Sequence, residues 1–322
     1  MFVHRIDPIL FDAGGLHFWW YGLSYALGFL EIHLWFMRAR RRLGLTVSQV
    51  YTFSILFAAS VLFFGRMIEV VFYEWPYYRH HLWQVPGLWL GGMCTHGILV
   101  GAVAGTWLFC RLNGKCFLTI ADELVIPGAF LMGVGRIGNF IDGQIVGRVT
   151  DLPWAVQFPD AEGFRHPVVL YDGVKNLLLI PLLLGVRKYS KPVPGKTMAH
   201  FVFWYGFLRF FVDIYREYPT RMFGIGTGQS FNIFMSVVGL ILLAWFSRWH
   251  QGAPVEPPPA PPAVDALPPW AKRAVFTFLL AFSLIIPSDW TQDVPARYGK
   301  RHPGLAYSRL YPQVNSAPPA RR

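Results

Sequence analysis

The sequence GRIGNFIDGQIVGR occupies residues 135–148 and closes an apolar run of membrane-spanning length that begins near residue 117. It contains two arginines, one asparagine and four glycines. A charged side chain at the centre of a bilayer costs roughly 2.5–3.5 kcal/mol on insertion scales, so polar groups at that depth usually face a protein interior or a water-filled cavity. Glycines let the backbone approach a ligand closely. The stretch therefore predicts a membrane helix that ends at a site for an anionic lipid headgroup.

The composition of the whole chain is typical of a multi-pass membrane protein. Of 322 residues, 54% are hydrophobic and only 15% are charged, and the mean hydropathy is +0.36. The formal net charge is +11, but the basic residues form short clusters between apolar runs. Basic clusters of this kind set the orientation of membrane helices and contact anionic lipids, and they are less typical of nucleic-acid binding. The three cysteines have no metal-binding spacing, and we expect neither a metal nor a cofactor.

Seven apolar runs are each close to the 20 residues that a membrane helix needs. They lie near residues 18–37, 50–72, 92–110, 117–135, 168–186, 197–214 and 227–246. Basic residues follow the first, third and fifth runs, and all three clusters face the cytoplasm if the N-terminus lies outside. The sequence thus predicts an all-α polytopic integral membrane protein with about seven transmembrane helices and an outside N-terminus.

The chain divides into three parts by composition. Residues 1–250 form the predicted transmembrane domain, 251–270 a Pro-rich linker, and 271–322 a basic C-terminal extension. The apolar stretch 274–287 in that extension is short for a span. If it crossed the membrane, the basic tail would lie outside, against the usual charge bias. We therefore expect a short interfacial helix followed by a cytoplasmic tail.

Polar residues in the sixth run share one helix face. Tyr205, Arg209 and Asp213 are spaced four residues apart, so they lie one above the other on a helix. Arg209 and Asp213 can form an ion pair. Such a pair either docks this helix against its neighbours or lines a polar pocket, and we favour the pocket.

Two further clusters remain open on sequence grounds. Arg66 and Glu69 are three residues apart in the second run, which suits a helix-packing pair and a binding site about equally. His96 opens the third run and is either a hydrogen-bonded structural residue or a proton relay. On a continuous helix Cys94 would not face His96, so a Cys–His dyad is not expected.

Several kinds of enzyme are not indicated by the sequence. It contains no nucleophile elbow, no phosphate-binding loop and no HExxH motif. Residues 165–172, which include His166 and Asp172, suit a loop at the membrane interface as well as a site. Any group transfer would then run directly from a lipid to an acceptor that brings its own nucleophile.

The order of these motifs resembles the bacterial prolipoprotein diacylglyceryl transferase family. The resemblance extends from about residue 7 to residue 246 and is most specific at residues 135–148. The other matching segments are Asp7-Pro8, 20–25, Gly65-Arg66, 91–93, His96-Gly97, 165–167, Leu170-Tyr171, Tyr205-Gly206, Arg209, Arg216-Glu217 and Gly228-Gln229.

The resemblance implies a seven-helix enzyme of the bacterial cytoplasmic (inner) membrane with its N-terminus outside. Such an enzyme moves the diacylglyceryl group of phosphatidylglycerol onto the lipobox cysteine of a prolipoprotein signal peptide. By the same resemblance, Arg136 and Arg209 would hold the phosphate and Tyr21 and His96 would be needed for activity. The residues implied to shape or line the headgroup site are Asn139, Gly147, Tyr205, Asp213, Arg66 and Gln144.

Two positions depart from the family pattern. Gln144 and Asp213 stand where the family usually has Glu, and Gln144 cannot carry a charge. This leaves a divergent paralogue with low or narrowed transferase activity as an alternative. A membrane transporter whose arginines bind an anion or lipid is a second alternative, from a different class.

Overall fold

The structure is a computed structural model that describes residues 1–143, 145–159, 161–190, 193–217, 221–222, 224–249 and 267–288. Helices dominate it. They are α1 (Trp20–Ala39), α2 (Val47–Ile68), the short α3 (Trp75–Tyr78), α4 (Thr95–Asn113), α5 (Phe117–Ile141), α6 (Val168–Tyr189), α7 (Lys196–Ile214), α8 (Thr227–Trp249) and α9 (Pro269–Ser283). A π-helical turn, Glu69–Tyr73, extends α2.

Each of the seven predicted runs coincides with a helix, and within the described residues five are long and apolar enough to cross a membrane. These five are Val47–Tyr73, Thr95–Asn113, Phe117–Ile141, Val168–Tyr189 and Gly228–Arg248. Helices α1 and α7 occupy the other two runs. The chain is therefore a mostly helical, polytopic membrane protein.

The helices form a bundle in which α2 packs on α4, α1 on α5, α5 on α6, and α7 on α8. The α2–α4 contact depends on small residues of α4. A Cβ at Gly97 or Gly101 would overlap the α2 backbone at Phe64 or Ser60. In lipid, helices associate mainly by such close packing, because the surrounding acyl chains are as apolar as the helix surfaces.

Short strands lie before and between the helices, so the expectation of an all-α chain needs correction. Strands β1 (Phe2–Val3), β4 (Val156–Gln157) and β5 (Phe164–Arg165) form one sheet, with β1 parallel and β5 antiparallel to β4. Strands β2 (Ile9–Ala13) and β3 (Leu16–Trp19) form a hairpin, and β6 (Arg221–Met222) pairs with β7 (Ile225–Gly226). These strands have two to five residues, too few for an alternating pattern to stand out.

The basic loops gather at one end of the bundle, hereafter the basic end. There Arg42 and Arg187 both pair with the buried carboxylate of Glu123, at 2.8 and 3.0 Å. Lys115 donates to the carbonyl of Gly44 at 2.7 Å. The opposite end, where α1 begins and α5 ends, is hereafter the site end.

Helix α9 does not have the surface position expected from the sequence. It packs along both α1 and α2. Near its start Lys272 donates to Ser48 in the first turn of α2, at 2.7 Å. Just after its end the carbonyl of Leu284 accepts from the backbone N–H of Trp19, at 2.8 Å.

Candidate active site

A single buried carboxylate gathers three cationic side chains at the site end. Asp172, in the first turn of α6, is fully buried. Arg136 of α5 donates to its Oδ2 at 2.5 Å, and Arg209 of α7 pairs with the same oxygen. Lys175 lies 3.1 Å from the other oxygen, Oδ1. Asp172 thus joins three helices through charge-assisted contacts.

The predicted pair on α7 is confirmed. Nη2 of Arg209 lies 3.0 Å from Oδ1 of Asp213, and the two residues are buried, as the shared helix face implies. Asn232 of α8 donates to the second oxygen of Asp213 at 2.7 Å. Asp213 therefore fixes the orientation of Arg209 and is itself held by a neighbouring helix.

Tyr205 and Asn139 each contact one cation of this network. Nζ of Lys175 lies 3.7 Å from the ring centroid of Tyr205, which is a cation–π contact. Nη1 of Arg136 donates to Oδ1 of Asn139 at 3.1 Å, one turn along α5. Five of the residues expected at the site, Arg136, Asn139, Tyr205, Arg209 and Asp213, are thus brought together by α5 and α7.

The side chains of this network carry a net positive charge. Two arginines and Lys175 face two carboxylates, Asp172 and Asp213, which leaves one net positive charge. Arg136 uses Nε and Nη1 in the contacts above and keeps Nη2 for a ligand. The arrangement can bind one anionic group through charge-assisted hydrogen bonds from this remaining nitrogen.

Arg136 also borders a large apolar cavity of about 300 Å³. Among the described residues that line it, Arg136 alone is charged. The cavity begins at Tyr21, Arg136 and Asn139 at the site end and runs past α1, α2, α4, α5, α7 and α8 to Phe117 and Ala121 near the basic end. Its shape and lining suit long apolar chains attached to an anionic head.

Tyr21 lines this cavity at the site end. Its hydroxyl is 3.1 Å from that of Tyr25, and both rings line the cavity with Arg136. A Cβ at Gly138 would come within 2.9 Å of Tyr21. The glycine of the predicted signature therefore brings α5 close to α1 and sets Tyr21 beside the arginine.

His96 lies apart from the charge network. It is exposed in the first turn of α4, with Nδ1 3.3 Å from the hydroxyl of Tyr73 and 3.7 Å from Sγ of Cys94. The expectation that Cys94 does not face His96 is wrong, because α4 begins only at Thr95 and Cys94 precedes it in extended conformation. Gly91 and Gly92 have positive φ angles of 87° and 73°, which ends the predicted continuous helix there.

Gly147 packs against the loop before α6. Its N–H donates to the carbonyl of His166 at 3.2 Å, and a Cβ here would meet the His166 side chain at 2.8 Å. His166 Nδ1 lies 3.2 Å from the hydroxyl of Tyr171. Partial burial lowers the pKa of His166 below its ordinary value, since desolvation disfavours the charged ring.

All three guanidinium nitrogens of Arg66 donate to the loop that follows α2. Its guanidinium donates to the carbonyls of Val85, Gln84 and Gly91 and to the hydroxyl of Tyr78. These contacts fix the loop between α2 and α4. Gln144 falls outside the described residues.

Comparison with known proteins identifies the family. The model of the prolipoprotein diacylglyceryl transferase family matches residues 8–245. The chain belongs to this family. The predicted resemblance, from about residue 7 to residue 246, is therefore confirmed in kind and in extent.

Curated members of the transferase family cover most of the chain. A phosphatidylglycerol–prolipoprotein diacylglyceryl transferase from Geobacter sulfurreducens is 35% identical over 257 residues, which is 77% of this chain and 98% of the relative. Proteins of the same name from Aliivibrio salmonicida and Nitratidesulfovibrio vulgaris are both 37% identical, over 75% and 74% of this chain and 88% and 94% of their own lengths.

The sequence analysis of this transferase missed two members of the charge network. The sequence left Asp172 open between an interface loop and a site and indicated no partner for it, and Lys175 was not singled out. Both lie in the apolar run 168–186, three residues apart. Ionisable residues within a membrane span are functional candidates by default, and that signal was available for both.

Proposed function

We propose that this chain transfers the diacylglyceryl group of phosphatidylglycerol to the lipobox cysteine of prolipoproteins, the first step of bacterial lipoprotein maturation. The observation that carries the proposal is a pair of arginines on one buried carboxylate in a chain of the transferase family. One of the two, Arg136, lines a long apolar cavity. The family match and its relatives give no support to the paralogue or transporter alternatives.

The reaction forms one bond and breaks one bond. The cysteine sulfur, as thiolate, attacks the glyceryl carbon that carries the phosphate, so a C–S thioether forms. The C–O bond to the phosphate breaks, and its electron pair leaves with glycerol phosphate. The thiol proton passes to a base or to solvent. Negative charge therefore grows on the phosphate as the bond breaks, where fixed cations stabilise it.

The charge network and the apolar cavity would bind different parts of the phosphatidylglycerol molecule. Arg136 reaches both, so we assign its free Nη2 to the phosphate and the apolar cavity to the acyl chains. Arg209 supplies the second cation, held by Asp172 and Asp213. Asn139 orients Arg136 through a hydrogen bond. Tyr205 orients Lys175 through its ring.

The remaining predicted residues act at the edges of this site. Tyr21 lines the site end of the cavity. His96 is the candidate to accept the thiol proton because its ring is exposed beside Tyr73. Gly147 permits the close approach of the His166 loop. The contacts of Arg66 support a role in holding a loop instead of direct headgroup binding.

The proposed topology places the site at the outer face of the bacterial cytoplasmic membrane. Helices α1, α2 and α4–α8 are the seven spans, and the N-terminus lies outside. The gathering of Arg42, Lys115 and Arg187 at the basic end supports this orientation, because basic loops favour the cytoplasm. Residues 1–250 form the catalytic domain, 251–270 a linker, and 271–322 an extension.

The test is product analysis with purified full-length protein. We expect a lipobox peptide and phosphatidylglycerol to yield diacylglyceryl-peptide and glycerol phosphate in equal amounts. Phosphatidylethanolamine in place of phosphatidylglycerol tests headgroup selectivity. Release of glycerol phosphate without a modified peptide would indicate a lipase and would contradict the proposal.

A further inference from the structure

We infer that Lys175 is a positioning residue that offsets the charge of Asp172, so that Arg136 and Arg209 retain a net positive charge for the phosphate. The inference rests on the proposed function and extends it to a residue that touches neither the cavity nor the reacting atoms.

The position of Lys175 is specific to the network. Its side chain is 6% exposed and its Nζ lies 3.1 Å from Asp172. The same Nζ lies over the ring of Tyr205. Burying an ammonium group is costly unless it is paired, and both partners of Lys175 belong to the proposed site.

The charge balance shows what Lys175 adds. Arg136 and Arg209 against Asp172 and Asp213 sum to zero. Lys175 raises the sum to +1, which matches the single negative charge of a phosphodiester. When glycerol phosphate leaves as a monoester, its charge rises to about −1.5 to −2 near neutral pH. The net positive charge of the network therefore also favours the bond-breaking step.

A purely structural role for Lys175 predicts a different result. If Lys175 only compensated Asp172 during folding, its loss would lower thermal stability and leave the KM for phosphatidylglycerol unchanged. If Lys175 sets the charge felt by the phosphate, that KM rises in protein that remains folded.

The experiment compares two lysines of α6 in the full-length chain. Lys188 is exposed near the far end of the helix and lies over the ring of Tyr189 at 5.1 Å, so Lys188→Met is a matched control. With phosphatidylglycerol in mixed micelles, we expect Lys175→Met to raise the KM about tenfold, or about 1.4 kcal/mol. Lys188→Met leaves the KM unchanged, and Lys175→Arg retains most of the affinity.

A second neutral variant keeps the test decisive if Lys175→Met fails to fold. Lys175→Gln removes the charge and keeps a polar group that can donate to Asp172, so it satisfies the buried carboxylate better than methionine does. We expect Lys175→Gln to raise the KM about tenfold as well, because the charge sum falls to zero in both variants.

The outcomes separate this inference from the proposed function. A wild-type protein without transferase activity contradicts the proposed function. An active wild type whose KM is unchanged in folded Lys175→Met, or in folded Lys175→Gln where Lys175→Met does not fold, overturns the role of Lys175 alone.

A second proposal, independent of the first, concerns the C-terminal extension. We propose that α9 is an eighth transmembrane helix, which crosses from the basic end to the site end. The family match ends at residue 245, so this helix is an addition to the matched domain.

The contacts of α9 follow the bundle from one end to the other. At the basic end, Lys272 donates to Ser48 and Thr52 at 2.7 and 2.8 Å. At the site end, a Cβ at Gly22 would overlap the backbone of Ser283 and Leu284. Helix α9 therefore runs antiparallel to α1.

The middle and the length of α9 agree with a crossing. The ring of Phe276 lies 4.7 Å from that of His33 in α1. The 15 residues of α9 span about 22 Å at 1.5 Å per residue. The buried residues Ile285 and Ile286 continue the chain towards the site end, so it covers most of the roughly 30 Å hydrocarbon core.

Thiol labelling tests this topology with a built-in reference. Cys116 is exposed in the loop between α4 and α5 at the basic end, and Ser316→Cys places a thiol in the tail. With a membrane-impermeant maleimide on spheroplasts, we expect the two thiols to differ in accessibility. Labelling of the tail thiol in intact spheroplasts, with Cys116 labelled only after permeabilisation, supports the crossing. The same accessibility for both thiols would overturn it.

Discussion

Replacement of Arg136 by Lys tests whether the guanidinium fork, and not only its charge, serves the reaction. Arg136 donates to Asp172 at 2.5 Å through Nε and to Asn139 at 3.1 Å through Nη1, which leaves Nη2 for the phosphate. A lysine has one ammonium group on a flexible stem and cannot span these three acceptors in one plane.

The expected loss follows from the number of contacts. The Arg136→Lys variant would keep the charge and lose at least one charge-assisted hydrogen bond, worth roughly 1.5–3 kcal/mol. At about 1.36 kcal/mol per tenfold change in rate, kcat/KM should fall about 10- to 150-fold. Arg136→Ala should lose more, because removal of one donor to a developing oxyanion typically costs about 100- to 1,000-fold.

The assay follows the mass gain of a lipobox peptide against time at several phosphatidylglycerol concentrations. Arg111→Lys, at an exposed position near the basic end, controls for the substitution itself. Thermal unfolding in the same detergent separates loss of activity from loss of fold. A folded Arg136→Lys protein with kcat/KM within about threefold of the wild type would refute the role assigned to the three guanidinium nitrogens of Arg136.

Three further outcomes are expected. Gly128 lines the cavity and Gly185 does not, yet a Cβ at either meets no atom within 4 Å. Gly128→Leu should lower transfer from long-chain phosphatidylglycerol about tenfold or more, and Gly185→Leu should not; equal activities would refute the acyl-chain site. Arg66→Met leaves buried carbonyls without donors, so the free energy of unfolding should fall by about 3 kcal/mol, measured by denaturation in detergent; an unchanged value would contradict the loop-holding role. Because the pKa of His166 is lowered in the folded state, the unfolded chain takes up the proton first and stability should decline as the pH falls below about 6.5. In thermal unfolding scans, His166→Gln should weaken this decline of stability with falling pH. An unaltered pH profile would contradict the role of His166 in the decline.

Features within one helix could be predicted from sequence. The spacing of Tyr205, Arg209 and Asp213 indicated a shared face and an ion pair, and the structure has both. The signature at residues 135–148 indicated a polar site at the end of a span, and Arg136 lies there beside the cavity. In each case the helical repeat fixes the geometry locally.

Features that depend on contacts between helices could not be predicted in this way. Asp172 meets Arg136 from α5 and Arg209 from α7, and no spacing within α6 reveals those partners. The approach of Cys94 to His96 depends on where α4 begins, which positive φ angles at Gly91 and Gly92 determine. The position of α9 depends on its contacts with α1 and α2, whereas its length and charge alone suggested a surface helix.

The most direct measurement is mass spectrometry of a synthetic lipobox peptide after incubation with the purified protein and phosphatidylglycerol. We expect the mass of one diacylglyceryl group on the cysteine and no gain on a peptide with Ser in its place. With Arg136→Ala the gain should be at least about 100-fold slower. An unchanged cysteine peptide, in a reaction where the Geobacter sulfurreducens relative modifies the same peptide, would contradict the assignment of this chain as a diacylglyceryl transferase.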